Sequence, residues 1–171
     1  MIVAVDKTNI SQAAAVHSVS WQESHRAFCS PDFVEMHTPE RQQRYLSRKM
    51  EKGSRLFLLL AGDTPAGIVS VTDSLIADLY ILPDMQGRGY GTELLRFAVG
   101  ECRDDPTLWI LRNNERAGRL YRKEGFRETG RIRTGAAGID EIEFTLSRGG
   151  RGGRNCEEET RQPPAPDGNA G

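Results

Sequence analysis

The sequence predicts an α/β fold over residues 1–147: a mixed, mostly antiparallel central sheet of about seven strands flanked by four helices. Three observations predict it. The apolar run Leu56-Phe57-Leu58-Leu59-Leu60 is followed by the turn Gly62-Asp63-Thr64-Pro65 and then by two more strand-like segments, which makes an antiparallel meander. After the glycine-rich segment Gln86-Gly87-Arg88-Gly89-Tyr90-Gly91 the period changes, and strand and helix patterns alternate to the end of the domain. From Arg148 onward the apolar content collapses to Gly, Arg, Glu, Pro and Asn, so residues 148–171 are expected to be a flexible tail that buries too little surface to offset its ordering entropy.

Each element has a local reason. Residues 1–5 are a short apolar run of strand length, and residues 10 to about 21 carry an apolar helical stripe through Ala14, Val16 and Val19. Between Trp21 and His37, Ser30-Pro31-Asp32 breaks the chain, leaving a second helical turn region flanked by loops. The next helix starts sharply: Thr38 caps it, Pro39 fits its first position, and Glu40 meets the positive end of the dipole. Gly53 ends it. Strands follow at residues 55–61, 66–72 and 75–82, the last after the short connection Asp73-Ser74. Beyond the glycine turn, Leu94, Leu95, Ala98 and Val99 stripe a helix over residues 92–102. Residues 107–111 are a strand, 114–124 a helix closed by Gly125, and 126–133 and 139–146 two final strands.

With 37% hydrophobic and 27% charged residues the composition is that of a folding globular chain. A net charge of −1 and a pI near 6.3 give no electrostatic reason to bind nucleic acid or an anionic membrane. Residues 1–6 lack the basic stretch and apolar run of a signal peptide, and no segment reaches the roughly 18 apolar residues of a membrane helix; the expected location is cytoplasmic. Cys29, Cys102 and Cys156 are odd in number, widely spaced and without a CxxC pair, so free thiols are expected rather than a disulfide framework. His17, His25 and His37 have no metal-ligand company, and no metal is expected.

A glycine turn between strand and helix aims several backbone N–H groups and the positive end of the helix at one point, which suits a phosphate. Walker-type hydrolysis is excluded because Gly89-Tyr90-Gly91-Thr92 has no lysine before its hydroxyl. A dinucleotide fingerprint fails as well, since its third glycine falls on Leu94 or Thr92.

The pattern that remains, Gln86-x-x-Gly89-x-Gly91 after a strand ending Leu79-Tyr80-Ile81-x-Pro83, resembles the acetyl-CoA signature of the GNAT superfamily of N-acetyltransferases. A second block agrees: Asn114-x-x-Ala117-x-x-Leu120-Tyr121-x-x-x-Gly125-Phe126 resembles the family's helix against the coenzyme and the Gly-Phe that starts its next strand. The resemblance spans about residues 2–146. It implies acetyl-CoA as co-substrate. Gln86, Gly87, Arg88, Gly89, Tyr90 and Gly91, with Thr92 opening the helix, would contact the pyrophosphate. Leu79, Tyr80 and Ile81 would align the pantetheine arm, Asn114 would touch that arm, and Ala117 and Tyr121 would face the coenzyme. Tyr121 matches the family's usual general acid, and a phenol suits that task, because with a pKa near 10 it can donate to a departing thiolate.

The acceptor implied is a primary amine, and an alkylamine mostly charged at neutral pH needs a proton acceptor. Asp78, just before the pyrophosphate turn, is the first candidate for proton relay or amine binding, ahead of Asp73, Glu35 and Glu143. The acceptor cleft is expected from residues 21–37 and 133–139, with Trp21, His25 and Phe28 as an aromatic wall. These residues and the nearby acids favour a small amine or polyamine. The alternatives are protein N-terminal or lysine amines, or a non-catalytic coenzyme-binding module. The arginine-glycine segment at residues 148–154 raises RNA binding, but Glu157-Glu158-Glu159 cancels its charge. Cys102, at the end of a buried stripe, reads as a core residue rather than a nucleophile. Dimers are frequent in the family, so a homodimer is a further expectation.

Overall fold

The computed structural model describes residues 1–27, 29–135 and 138–149. Phe28, Cys156 and the tail beyond Gly149 lie outside the described residues. Strands β1 (Ile2–Ala4), β2 (Arg55–Ala61), β3 (Thr64–Thr72), β4 (Leu75–Ile81), β5 (Thr107–Leu111), β6 (Arg127–Thr134) and β7 (Asp140–Thr145) form one sheet in the order β1-β2-β3-β4-β5-β7-β6. Every neighbouring pair is antiparallel except β4 and β5, which are parallel.

The described helices are α1 (Ile10–His25), α2 (Pro31–Glu35), α3 (Pro39–Glu51), α4 (Tyr90–Glu101) and α5 (Glu115–Lys123). That is one more than expected: the helical turn region closes into α2, with Pro31 at its first position and Ser30 Oγ accepting from Phe33 N at 3.4 Å. Helix α1 also runs past Trp21 to His25, where the His25 ring stacks on the indole one turn back at 3.8 Å. Thr38 caps α3 by accepting from Arg41 N, as its sequence predicts.

The apolar run of β2 is explained by helices on both faces. Leu56 and Leu58 point to α1 and α3, joining Val5, Ala13, Ala14, Val16, Leu46 and Ile68. Phe57 and Leu59 point the other way, into a core with Leu94, Leu95 and Ala98 of α4, Tyr121, Phe126 and Phe144. Leu58 and Leu59 are fully buried on opposite faces, each worth about 1.5–3 kcal/mol of transfer free energy. These two cores fix α1 and α3 on one side of the sheet and α4 on the other, and the site lies where the sheet itself parts.

Candidate active site

The sheet parts because β4 bends. From Ile68 to Ser70 on β3 the partners on β4 step from Tyr80 to Ala77, so β4 carries an extra residue, and Asp78 takes a left-handed φ of 48° there. Aspartate tolerates that region better than most residues. Gly67 lets the bent strand stay close: a Cβ at this position would lie 2.5 Å from Ile81 Cδ1 and 2.9 Å from the Tyr80 carbonyl oxygen. Consequently β4 pairs with β5 only at Leu75↔Thr107 and Ile76↔Leu108. Past that point the strands separate, and a cleft of about 1130 Å³ opens between them.

One end of the cleft is built largely from main chain. Leu79, Tyr80 and Ile81 line it with a strand edge that no longer pairs with β5. A 3₁₀ turn (Pro83–Met85) leads to Gln86, Gly87 and Gly89, and Gly89 is the residue before α4, at φ 87° and without a side-chain cap. The opening amides of α4 therefore keep their donors free for an anion. Gln86 fixes the turn: its amide donates to the Ile81 carbonyl at 3.0 Å while its Oε1 accepts from Arg116 of α5. Gly91 and Thr92 line the cleft through the first turn of α4. Asn114, Ala117, Leu120 and Tyr121 line the facing side from α5. Asn114 caps α5 by accepting from Ala117 N at 3.1 Å.

Tyr121 is packed against Phe126 and Phe144 at ring distances of 5.9 and 6.2 Å. Burial pushes its phenol up to about 12, so it stays protonated at any working pH. No described residue hydrogen-bonds its hydroxyl, and the residue lines the cleft.

The other end is built from side chains of α1, α2 and α3. The Asp78 carboxylate, 11% exposed, accepts from four donors: Lys49 Nζ, Ser70 Oγ at 2.7 Å, Tyr45 Oη at 3.1 Å and His17 Nε2 at 3.3 Å. Burial opposes its charge, but the His17 hydrogen bond and the Lys49 charge outweigh that and hold the carboxyl well below the usual carboxylate range. Burial likewise raises the Tyr45 phenol, with the Asp78 charge adding to it. Around this cluster, Trp21 is sandwiched between His25 at 3.8 Å and His37 at 3.4 Å, with Phe33 edge-on. Burial lowers both flanking imidazoles. On β5, Trp109 lines the cleft beneath the Arg133 guanidinium, 4.4 Å above its ring, and Arg133 also pairs with Glu141 at 2.6 Å.

Of the acids considered from sequence, Asp78 alone lines this cleft. Asp73 is exposed in the β3–β4 turn and Glu35 is exposed on α2. Glu143 is buried elsewhere, accepting from Thr129 and Arg131. Arg88 and Tyr90 do not line the cleft, and Tyr90 packs on the α4 core. Cys102 is buried and donates to the Ala98 carbonyl at 3.3 Å, with its thiol raised by burial.

Sequence reasoning missed His17, Arg41, Tyr45 and Glu141 as cleft residues, and Lys49 as the partner of Asp78. The one available signal was spacing, since His17, Trp21 and His25 recur every fourth residue and must share a face of α1. Among the described residues, no group of three or more His, Cys, Asp or Glu is arranged to hold a metal ion, and no helix is long and apolar enough to cross a membrane.

Residues 52–128 match the acetyltransferase (GNAT) domain family. No curated protein matches the chain in sequence. Among solved structures the chain is similar to the PaiA N-acetyltransferase of Thermoplasma acidophilum in complex with coenzyme A, at 16% identity and a TM-score of 0.63, covering 84% of this chain and 96% of that one. It is similar to the ribosomal-protein-alanine N-acetyltransferase of Brucella melitensis, at 16% identity and a TM-score of 0.65, covering 86% and 99%. A mutant of the spermidine N-acetyltransferase SpeG of Vibrio cholerae is 17% identical with a TM-score of 0.63, covering 86% and 94%. At these identities the likeness is one of fold.

Proposed function

We propose that this chain, whose residues 52–128 match the acetyltransferase (GNAT) domain family, moves the acetyl group of acetyl-CoA directly onto the primary amine of a small acceptor held in the same cleft. The observation that carries this reading is the meeting, along one cleft, of three unsatisfied features: the uncapped start of α4, the unpaired edge of β4 and the free Tyr121 hydroxyl. Each fits one part of the coenzyme. The amides of residues 87–92 suit the pyrophosphate, the β4 edge suits the amides of the pantetheine arm, and Tyr121 suits the sulfur.

The transfer begins when the amine nitrogen attacks the thioester carbonyl. A C–N bond forms, the C–S bond breaks, and the thiolate takes a proton from Tyr121, which regains one from the acetylated nitrogen. A phenol raised to about 12 is a poor stray acid toward water yet remains a donor to the sulfur as charge develops there.

The acceptor end favours a small monoamine over a polyamine. Its carboxylates are already matched, Asp78 by Lys49, Glu141 by Arg133 and Glu23 by Arg26, while Arg41 at the same end forms no ion pair among the described residues. A second cationic centre on the acceptor would find no unmatched carboxylate there. Calorimetry with acetyl-CoA, followed by thiol release with phenethylamine, spermidine and an alanine-terminated peptide as acceptors, tests the reading. Binding of acetyl-CoA and fastest release with phenethylamine are expected. No heat of binding, or no release above the acceptor-free rate with any of the three, would overturn it.

A further inference from the structure

We propose that His17 takes the proton from the acceptor amine, with Asp78 acting as the carboxylate that positions its ring. This rests on the acetyl transfer proposed above and names the base that reaction needs.

The three histidines differ in which ring nitrogen meets a backbone carbonyl or a carboxylate. His25 and His37 direct Nδ1 at the carbonyls of Trp21 and Phe33, each four residues back, at 2.9 and 2.8 Å. A carbonyl only accepts, so the proton of each neutral ring is fixed on Nδ1 and engaged there. His17 is turned the other way. Its Nε2 lies 3.3 Å from Asp78 Oδ1, and an ionised carboxylate only accepts, so Nε2 carries the proton and Nδ1 carries the lone pair. That Nδ1 has no partner although the residue is 2% exposed, and the side chain lines the cleft. One helical turn further, the Ser20 hydroxyl is also buried on the cleft and also unpartnered. Leaving a buried polar atom unsatisfied costs about 1–3 kcal/mol. Two of them on one face of α1 mark where a polar ligand group belongs.

The same geometry removes Asp78 from the role of base. Its oxygens already accept from Lys49, Ser70, Tyr45 and His17, and a carboxyl held so firmly ionised has little affinity for a proton. It fixes the tautomer of His17 and faces the positive charge that forms on the ring. The proton count closes. The ammonium gives one proton to His17 Nδ1, which passes it to solvent as product leaves. The neutral amine forms the C–N bond as the C–S bond breaks, and the second nitrogen proton replaces the one Tyr121 gives the thiolate.

The test is His17→Gln, whose amide can still donate to Asp78 but has no basic nitrogen. With an acceptor the wild type uses, kcat is expected to fall about 10²-fold. Acetyl-CoA affinity by calorimetry should be unchanged, and the acidic limb of the kcat against pH profile should disappear. Asp78 and Tyr80 of β4, Tyr45 and Lys49 of α3, and His25 and His37 also face or influence this ring. Asp78→Asn must therefore lower kcat while keeping an acidic limb, which a purely structural role for His17 does not require. An active wild type whose His17→Gln variant keeps both kcat and the limb overturns this inference and leaves the acetyl transfer intact. A wild type inactive with every acceptor and silent toward acetyl-CoA overturns both. Independently of activity, nitrogen NMR of the neutral imidazole should find the proton on Nε2; a proton on Nδ1 overturns the assignment.

Discussion

At the α4 end of the cleft the reactive surface is main chain: the amides after Gln86, the bare edge of β4 and an uncapped helix start. At the α1 end it is side chain: Lys49, Asp78 and His17 from three different elements, ringed by Trp21, His25 and His37. The family match follows the same division. Its residues 52–128 include the glycine turn and Tyr121 but stop short of His17, Tyr45 and Lys49 on one side and Arg133 and Glu141 on the other. A surface made of backbone tolerates wide change in its side chains provided the glycines and the bend persist. A surface made of side chains is rewritten by single substitutions, and that is the end where we propose the acceptor is held.

The sharpest way to break this comparison is at Lys49. Lys49→Met strands the Asp78 carboxylate in a nearly closed site, and a loss of about 3–5 kcal/mol in unfolding free energy is expected, mostly restored when Asp78→Asn is added. Denaturant titration checks it; equal stability of the single and double variants would remove the ion pair from the account. The pH dependence follows with its sign. Asp78 is depressed in the folded protein, so its contribution is complete above the ordinary aspartate pKa of about 4 and drains away as pH falls below that value. Wild type should therefore lose stability more steeply below about pH 4 than Asp78→Asn does.

Tyr121→Phe comes next. It keeps the packing on Phe126 and Phe144 but removes the donor, so kcat should drop about 10²-fold, close to 3 kcal/mol, with acetyl-CoA affinity unchanged. Full retention of kcat would strip the phenol of its role. Gly89→Val acts at the opposite end, forcing a β-branched residue to φ 87° at a cost of about 1–3 kcal/mol. Acetyl-CoA should bind about 10-fold more weakly or worse, with the stability cluster around Asp78 untouched. The smallest effect is expected at Gln86→Ala, which unties the turn from Ile81 and Arg116: about 1 kcal/mol, or a few-fold in acetyl-CoA affinity by calorimetry.

The misplaced expectations have local causes. Helix α1 was expected to end near Trp21 because its polar continuation, Gln22-Glu23-Ser24-His25, has no apolar stripe; the stack of His25 on Trp21 supplies contacts that periodicity does not register. The helical turn region between Trp21 and His37 carries no boundaries in its sequence; Ser30 and Pro31 fix its start, and it closes as the short helix α2 against α1. Asp78 stands out by its position before the glycine turn, but nothing near it in the chain shows that its charge is already matched, since Lys49 and His17 are distant in sequence.

What the sequence determined by itself is whatever depends on neighbours in the chain. Strand, glycine turn and helix follow one another from Leu79 to Thr92, and Asn114 caps the helix that carries Ala117 and Tyr121, so these elements could be placed from chain order, while the resemblance to the GNAT signature picked out the phenol. What only the tertiary structure decided is everything that depends on separation. Lys49 meets Asp78 across 29 residues and His17 meets it across 61, at a bulge where β4 leaves β5. Charge matching, tautomer and burial are properties of such meetings, because each depends on which donors and how much water surround a group once distant elements have packed.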